Sequence, residues 1–247
     1  MKESDMSKNS ESPASVRLQK FAADLGLGSR REMEVWISEG RFTINGEVAQ
    51  LGAKVGAKDA VKLDDKLIFS KKTKTIVLAM NKPKHVVCTN SDPFGAKTVF
   101  DILPKKLKKE RLFCVGRLDK ESEGLVLLTN DGELANRIMH PSFQVTKRYT
   151  VTINRDFIIE DKKALLEGVT HDGERLFASK VVVFPKSPKR LEIHLNQGRK
   201  REIRRLLEAL GYFVKTLKRF QIGKFRLKLP TGAVQELTDK DIRDILS

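Results

Sequence analysis

Cysteine is nearly absent: Cys88 and Cys114 are the only two in 247 residues. They form no CxxC pair and no disulfide framework, which excludes a stapled secreted scaffold and suits a reducing cytosol. Histidine is scarce as well. His85, His140, His171 and His194 lie scattered without metal-ligand spacing, so no metal is expected. Long apolar runs are missing; the stretches 75–80 and 124–128 are strand-sized and far short of a membrane span. The first fifteen residues are polar and lack the apolar centre of a signal peptide, which argues against export and for a cytoplasmic protein. Acidic residues are outnumbered, 32 Asp+Glu against 48 Lys+Arg, leaving a formal charge of +16. Like charges on a folded surface repel, so an excess of this size points to a polyanionic partner. With no membrane feature in the chain, that partner is expected to be nucleic acid.

What is present divides the chain. Residues 1–15, rich in Ser, Lys and Glu, read as a disordered leader. A compact unit follows over 16–69. Leu18, Phe21, Ala22 and Leu25 recur at i, i+3, i+4 and i+7, one face of a helix that Gly26 can end. Ser29, with Glu32 three residues later, has the pattern of a capping box opening a second helix that buries Met33, Trp36 and Ile37. Asn45-Gly46 predicts a hairpin turn, and Asp64-Asp65 a second turn after a short strand at 60–63. Lys71, Lys72 and Lys74 mark a linker over 70–74.

From 75 to 247 the pattern is α+β, without internal repeats. Residues 75–80 and 124–129 are apolar enough for buried strands. Tyr149, Val151 and Ile153 alternate on one strand face, as do Leu191, Ile193 and Leu195. A helix from about residue 200 buries Ile203, Leu206, Leu207 and Leu210 and stops at Gly211.

In the first unit, Ser29-Arg30-Arg31 stands at a helix start, where free N–H groups and the helix dipole favour phosphate. Arg17, Lys20 and Arg41 add cations nearby. The run SRREMEVWISEGRFTINGE resembles the S4 (αL-like) RNA-binding domain over about 16–69. That resemblance places Ser29, Arg30, Arg31 and Arg41 at positions approaching RNA. It identifies a binding mode and no reaction.

The second unit carries the chemistry. Gly116-Arg117-Leu118-Asp119-Lys120-Glu121-Ser122-Glu123-Gly124-Leu125 is a glycine-flanked loop feeding an apolar strand. A lone Asp in such a loop serves as a turn or cap residue as readily as a catalytic one. With its neighbours the segment resembles the GRLD…S/T…GL motif of pseudouridine synthases, in the RsuA/RluB branch. The segment 90–104 (with Ser91 inserted), DGELANRIMHPS after the loop, and QGRKREIRRLLEALG agree with that family in order. The resemblance spans essentially 16–245.

It implies a catalytic domain over 75–247 with a mixed, mainly antiparallel sheet, and an isomerisation of uridine in ribosomal RNA or its precursor. Large-subunit (23S) rRNA is the expected substrate and small-subunit (16S) rRNA the alternative. The reaction breaks an N-glycosidic bond and makes a C–C bond to the same sugar carbon, with neither redox change nor hydrolysis. No cofactor is therefore expected, and a monomer suffices. A carboxylate must attack or deprotonate the sugar, or add to the base; the resemblance gives that role to Asp119. It pairs Asp119 with Arg204, expected as a bidentate contact, and lays the ring of Tyr149 against the target base. Arg117, Lys147, Arg199, Arg201 and Arg205 are expected to hold RNA. Ser122 stands where threonine is usual, Gln197 and Lys200 depart from the late motif, and His85 occupies a position often held by glycine. A catalytically silent ribosome-assembly factor would predict loss of Asp119, Tyr149 or Arg204, and all three are present. A glycoside hydrolase would want a second carboxyl at a defined distance, and the arginine-rich setting suits RNA better.

Overall fold

A computed structural model of the chain describes residues 15–69, 74–90 and 92–247. The expected leader apart from Ser15, the linker apart from Lys74, and Ser91 lie outside the described residues. The chain divides between Lys74 and Thr75 into two compact units.

In the first unit β1 (Val16–Arg17) leads into α1 (Leu18–Asp24) and α2 (Arg30–Ser38). The capping box is formed: Ser29 Oγ accepts from Glu32 N, and the Glu32 carboxylate accepts from Ser29 N. Strands β2 (Phe42–Ile44), β3 (Glu47–Val48), β4 (Lys54–Val55), β5 (Val61–Leu63) and β6 (Lys66–Ile68) follow. Four of them order as β3-β2-β5-β6, while β4 pairs with β1. Asn45 and Gly46 both have positive φ, the backbone that a two-residue hairpin turn between twisted strands requires. Leu18, Met33, Ile37, Phe42 and Val61 close a small core.

The second unit is built on a nine-stranded sheet. Its members are β7 (Val77–Lys82), β8 (Phe113–Val115), β9 (Glu123–Thr129), β10 (Lys147–Ile153), β13 (Lys180–Phe184), β14 (Ser187–Leu195), β15 (Val214–Ile222), β16 (Phe225–Arg226) and β17 (Val234–Glu236); β11 (Val169–His171) and β12 (Glu174–Leu176) form a separate hairpin. The order is β13-β14-β10-β15-β9-β7-β17, with β8 on β9 and β16 on β15. Every described pairing among these strands is antiparallel except β15 with β9. The sheet is thus mixed and mainly antiparallel, and the fold is α+β.

Helices α3 (Gly132–Met139), α4 (Asp161–Glu167), α5 (Glu202–Glu208) and α6 (Asp239–Ile245) cover it. β7 reads as a continuous apolar run because both its faces are covered. Val77 and Ala79 pack with α3 and α6, while Leu78 and Met80 pack with Val86, Val99 and Leu103. β10 instead alternates, sending Tyr149, Val151 and Ile153 into the core beneath Ile203, Leu206 and Leu207 of α5. That placement sets the start of α5 beside the loop entering β9.

Candidate active site

The loop between β8 and β9 is fixed at several points. Ser122 N donates to Asp119 O at 3.0 Å, His85 N to Lys120 O at 2.8 Å, and Leu118 N to Cys88 Sγ at 3.5 Å. His85 has a φ of 65°, which explains in backbone terms why glycine suits that position. At the far end Gly124 lies opposite Arg219 in the parallel β9–β15 pairing. A Cβ at 124 would meet the Arg219 carbonyl oxygen at 2.2 Å, so the close approach of these backbones requires glycine. The loop therefore delivers Asp119 to a cleft of about 720 Å³. Its carboxylate is about a quarter exposed.

Two arginines from the start of α5 face this carboxylate. Arg201 Nη1 lies 3.8 Å and Arg204 Nε 3.9 Å from Asp119 Oδ2. These are ion pairs beyond hydrogen-bond length. The expected bidentate Arg204 contact is absent because Nη1 of Arg204 instead donates to Val214 O at 3.1 Å. Anchored to β15 in this way, Arg204 is held near the carboxylate as a nearly buried charge. Burial lowers its pKa, as does the charge of Arg201, while Asp119 and Glu121 oppose them. Arg201 occupies the helix N-cap with a left-handed backbone, φ 51°. Behind it the Glu202 carboxylate accepts from Gln197 Nε2 at 2.7 Å and from Arg199 N at 3.0 Å. Gln197, one of the positions that depart from the late motif, thus braces Glu202.

Tyr149 and Lys147 project from β10 on the same face, both buried and both lining the cleft. Lys147 was expected as an ordinary RNA contact; the alternation of β10 takes it inside, leaving it on the cleft wall. Burial, with Arg219 adding to it, brings its pKa down to about 8 against the opposing pull of Glu202. Arg219 itself is a residue the motifs did not single out. Its Nε donates to Leu125 O at 2.7 Å and its Nη1 reaches the Tyr149 hydroxyl at 3.5 Å. A signal for it exists in the sequence: Arg219 falls in phase with Leu217 on an alternating strand, at an inward position.

The remaining expected contacts separate into groups. Arg117 and Arg199 are exposed on the rim of the cleft, Arg199 Nη1 donating to Arg175 O at 2.8 Å. Arg205 does not line the cleft; it is tied to the β11–β12 hairpin, through Glu174 at 2.5 Å and the His171 carbonyl at 3.0 Å. One residue along a helix turns a side chain by about 100°, which takes Arg205 away from the face Arg204 uses. In the first unit Arg30 and Arg31 are exposed. Arg41 is clamped by both Asp64 oxygens, at 2.9 and 2.5 Å, and lies over the Trp36 ring. The Ser29 hydroxyl and N–H are both committed to Glu32. Among the described residues no group of three or more His, Cys, Asp or Glu side chains is arranged to hold a metal ion, and no helix is long and apolar enough to cross a membrane.

Comparison with known proteins bears on this geometry. Residues 76–209, more than half of the chain, match the family model described as RNA pseudouridylate synthase, and residues 16–61 match the S4 domain. The chain belongs to the RNA pseudouridylate synthase family. Ribosomal large subunit pseudouridine synthase B of Pseudomonas aeruginosa is 41% identical over 255 residues, a match covering 98% of this chain and 64% of that protein. The protein of the same name from Vibrio cholerae is 42% identical over 236 residues, covering 92% and 73%. An uncharacterized RNA pseudouridine synthase of Aquifex aeolicus is 38% identical, with 93% of both chains covered. A crystal structure of a pseudouridylate synthase aligns with a TM-score of 0.68 at 29% identity, over 94% of this chain and all of the other. The family motifs fall on the loop, strand and helix start that line the cleft.

Proposed function

We infer that this chain isomerises a specific uridine to pseudouridine in ribosomal RNA of the large subunit, with Asp119 as nucleophile and without a cofactor. The observation that carries the reading is the convergence of Asp119, Arg201 and Arg204 at a cleft whose wall holds Tyr149. The two relatives named for the large ribosomal subunit support that choice of RNA. In the reaction the C1′–N1 bond breaks, the ring turns, and C5 bonds to C1′; C5 loses a proton and N1 gains one, so atoms and charge balance. Arg201 and Arg204, 3.8 and 3.9 Å from the Asp119 carboxylate, are placed to orient it. The Tyr149 ring offers an aromatic surface for the extruded base, whose unstacking costs a few kcal/mol. Arg117, Arg199 and Arg201 supply rim charge for the RNA backbone, and the exposed Arg30 and Arg31 of the S4 unit supply more. A monomer acting in the cytoplasm, where ribosomal RNA is processed, completes the reading.

The test is pseudouridine mapping on unmodified 23S and 16S rRNA with wild type and Asp119→Asn. A new mark at one 23S uridine with wild type alone is expected. A mark in 16S instead would reassign the substrate, and a mark retained by Asp119→Asn would remove the nucleophile. Tight binding without any mark would favour a silent assembly factor.

A further inference from the structure

Two cations lie deeper in the cleft than those on its rim. Arg219 is 4% exposed and Lys147 is 7% exposed, and both line the cavity. Arg219 stands opposite Tyr149 across the β10–β15 pairing. One of its nitrogens is spent on the Leu125 carbonyl and another on the Tyr149 hydroxyl. Nη2 is buried and meets no acceptor among the described residues. A buried guanidinium with unused donors is destabilising, and an apolar side chain of similar volume would serve the fold better. Its presence calls for a ligand that uses it. Burial first, and then the charge of Arg219, lower the pKa of Lys147, against the pull of Glu202.

We propose that Arg219, with Lys147 beside it, receives the negative charge of the uracil ring while that ring is detached from its sugar. This rests on the reading above, that Asp119 drives isomerisation in this cleft. Written with Asp119 attacking C1′, the carboxylate supplies an electron pair to the sugar and the C1′–N1 pair leaves with the ring. That charge spreads over N1, O2 and O4. After the turn, C5 supplies a pair to C1′ and the carboxylate takes its own back; the C5 proton then leaves and N1 gains one. Between the two bonds nothing covalent holds the ring. A fixed fork of donors facing a carbonyl edge stabilises its charge and keeps it in the cleft, and does so strongly because the site is largely removed from water. A backbone phosphate is the other anion available. It is bulky, well hydrated and tied to its neighbours, and the exposed Arg117, Arg199 and Arg201 on the rim suit it; a donor this deeply buried suits the edge of a flat base.

The experiment measures the single-turnover rate at saturating RNA, together with RNA affinity, for the full chain carrying Arg219→Gln, Arg219→Lys or Lys147→Met. The expected result is a rate about 100-fold lower for Arg219→Gln, the loss typical of one transition-state donor. Its RNA affinity stays within about threefold of wild type, and Arg219→Lys recovers about tenfold in rate. A rate within about threefold of wild type overturns the proposal. So does an unchanged rate with weaker binding and a shallower salt dependence, which would make Arg219 a phosphate contact. Should Arg219→Gln fail to fold, Arg219→Lys and Lys147→Met decide: both near wild-type rate would overturn the proposal, and both slower at unchanged affinity would support it. Asp119→Asn, run alongside, separates the two levels. If that variant turns over, the underlying reading fails, whatever Arg219 does.

Discussion

In the S4 unit, Arg41 lies at the surface with its guanidinium held by Asp64 and laid over Trp36, and Arg30 and Arg31 stand in solvent. In the larger unit, Arg219 and Lys147 are buried, and Arg204 is nearly so, donating to Val214 O and lying 3.9 Å from Asp119. The two units place their cations differently. Exposed cations cost little and bind a polyanion through many weak, salt-screened contacts. Buried cations are expensive, and their expense is tolerated where charge develops during a reaction. The first arrangement suits holding RNA, the second suits acting on it.

That contrast can be broken in three places. The largest effect is expected from Arg204→Met. Losing the nearly buried cation beside Asp119 should cut single-turnover rate by about 10- to 100-fold with RNA affinity nearly unchanged; a loss confined to affinity would put Arg204 among the RNA-holding group. Next is the pair Arg30→Ala and Arg31→Ala together. Affinity should weaken severalfold and the log–log salt slope become shallower by about 1.4 to 1.8 if each meets one phosphate, with the saturated rate intact. An unchanged slope would show that the S4 surface contacts RNA elsewhere. Arg205→Ala should do least to RNA binding, because its charge is already held by Glu174; a slope change as large as that of the double variant would overturn this placement.

The pH response sharpens the same contrast. Lys147 has a folded pKa of about 8, below its ordinary value of 10.5. Between those values the unfolded chain binds the extra proton, so stability from this group rises with pH through that window and is lowest below pH 8. Thermal melting should therefore show Lys147→Met gaining over wild type most clearly near pH 7, with the gain shrinking as pH rises towards 10.5. A gain that grows with pH would contradict the burial of a charged lysine. If the charged lysine serves the reaction, the wild-type rate should respond in the opposite sense and fall as pH rises through about 8.

Much of this molecule was legible from local pattern, because local pattern is what sets helix faces, strand faces and turns. The 3.6-residue spacing in 18–25, the Ser29–Glu32 capping box, the Asn45-Gly46 turn and the alternation at Tyr149, Val151 and Ile153 each depend on residues a few positions apart, and each is found in the structure. The family motifs also put Asp119, Tyr149 and Arg204 on the elements that meet at the cleft. Other features depend on partners far apart in the chain, and only the tertiary structure could decide them. Gly124 needs to be glycine because β15, about ninety-five residues later, runs parallel against it. Arg204 donates to Val214 instead of gripping Asp119, and Arg205 turns to Glu174 on a hairpin some thirty residues earlier. In sequence Arg219 shares the inward phase of Leu217, but it stands there among other cations and no motif marks it. The sheet makes it a buried one beside Tyr149, since pairing register and burial are properties of the packed chain and not of any segment alone.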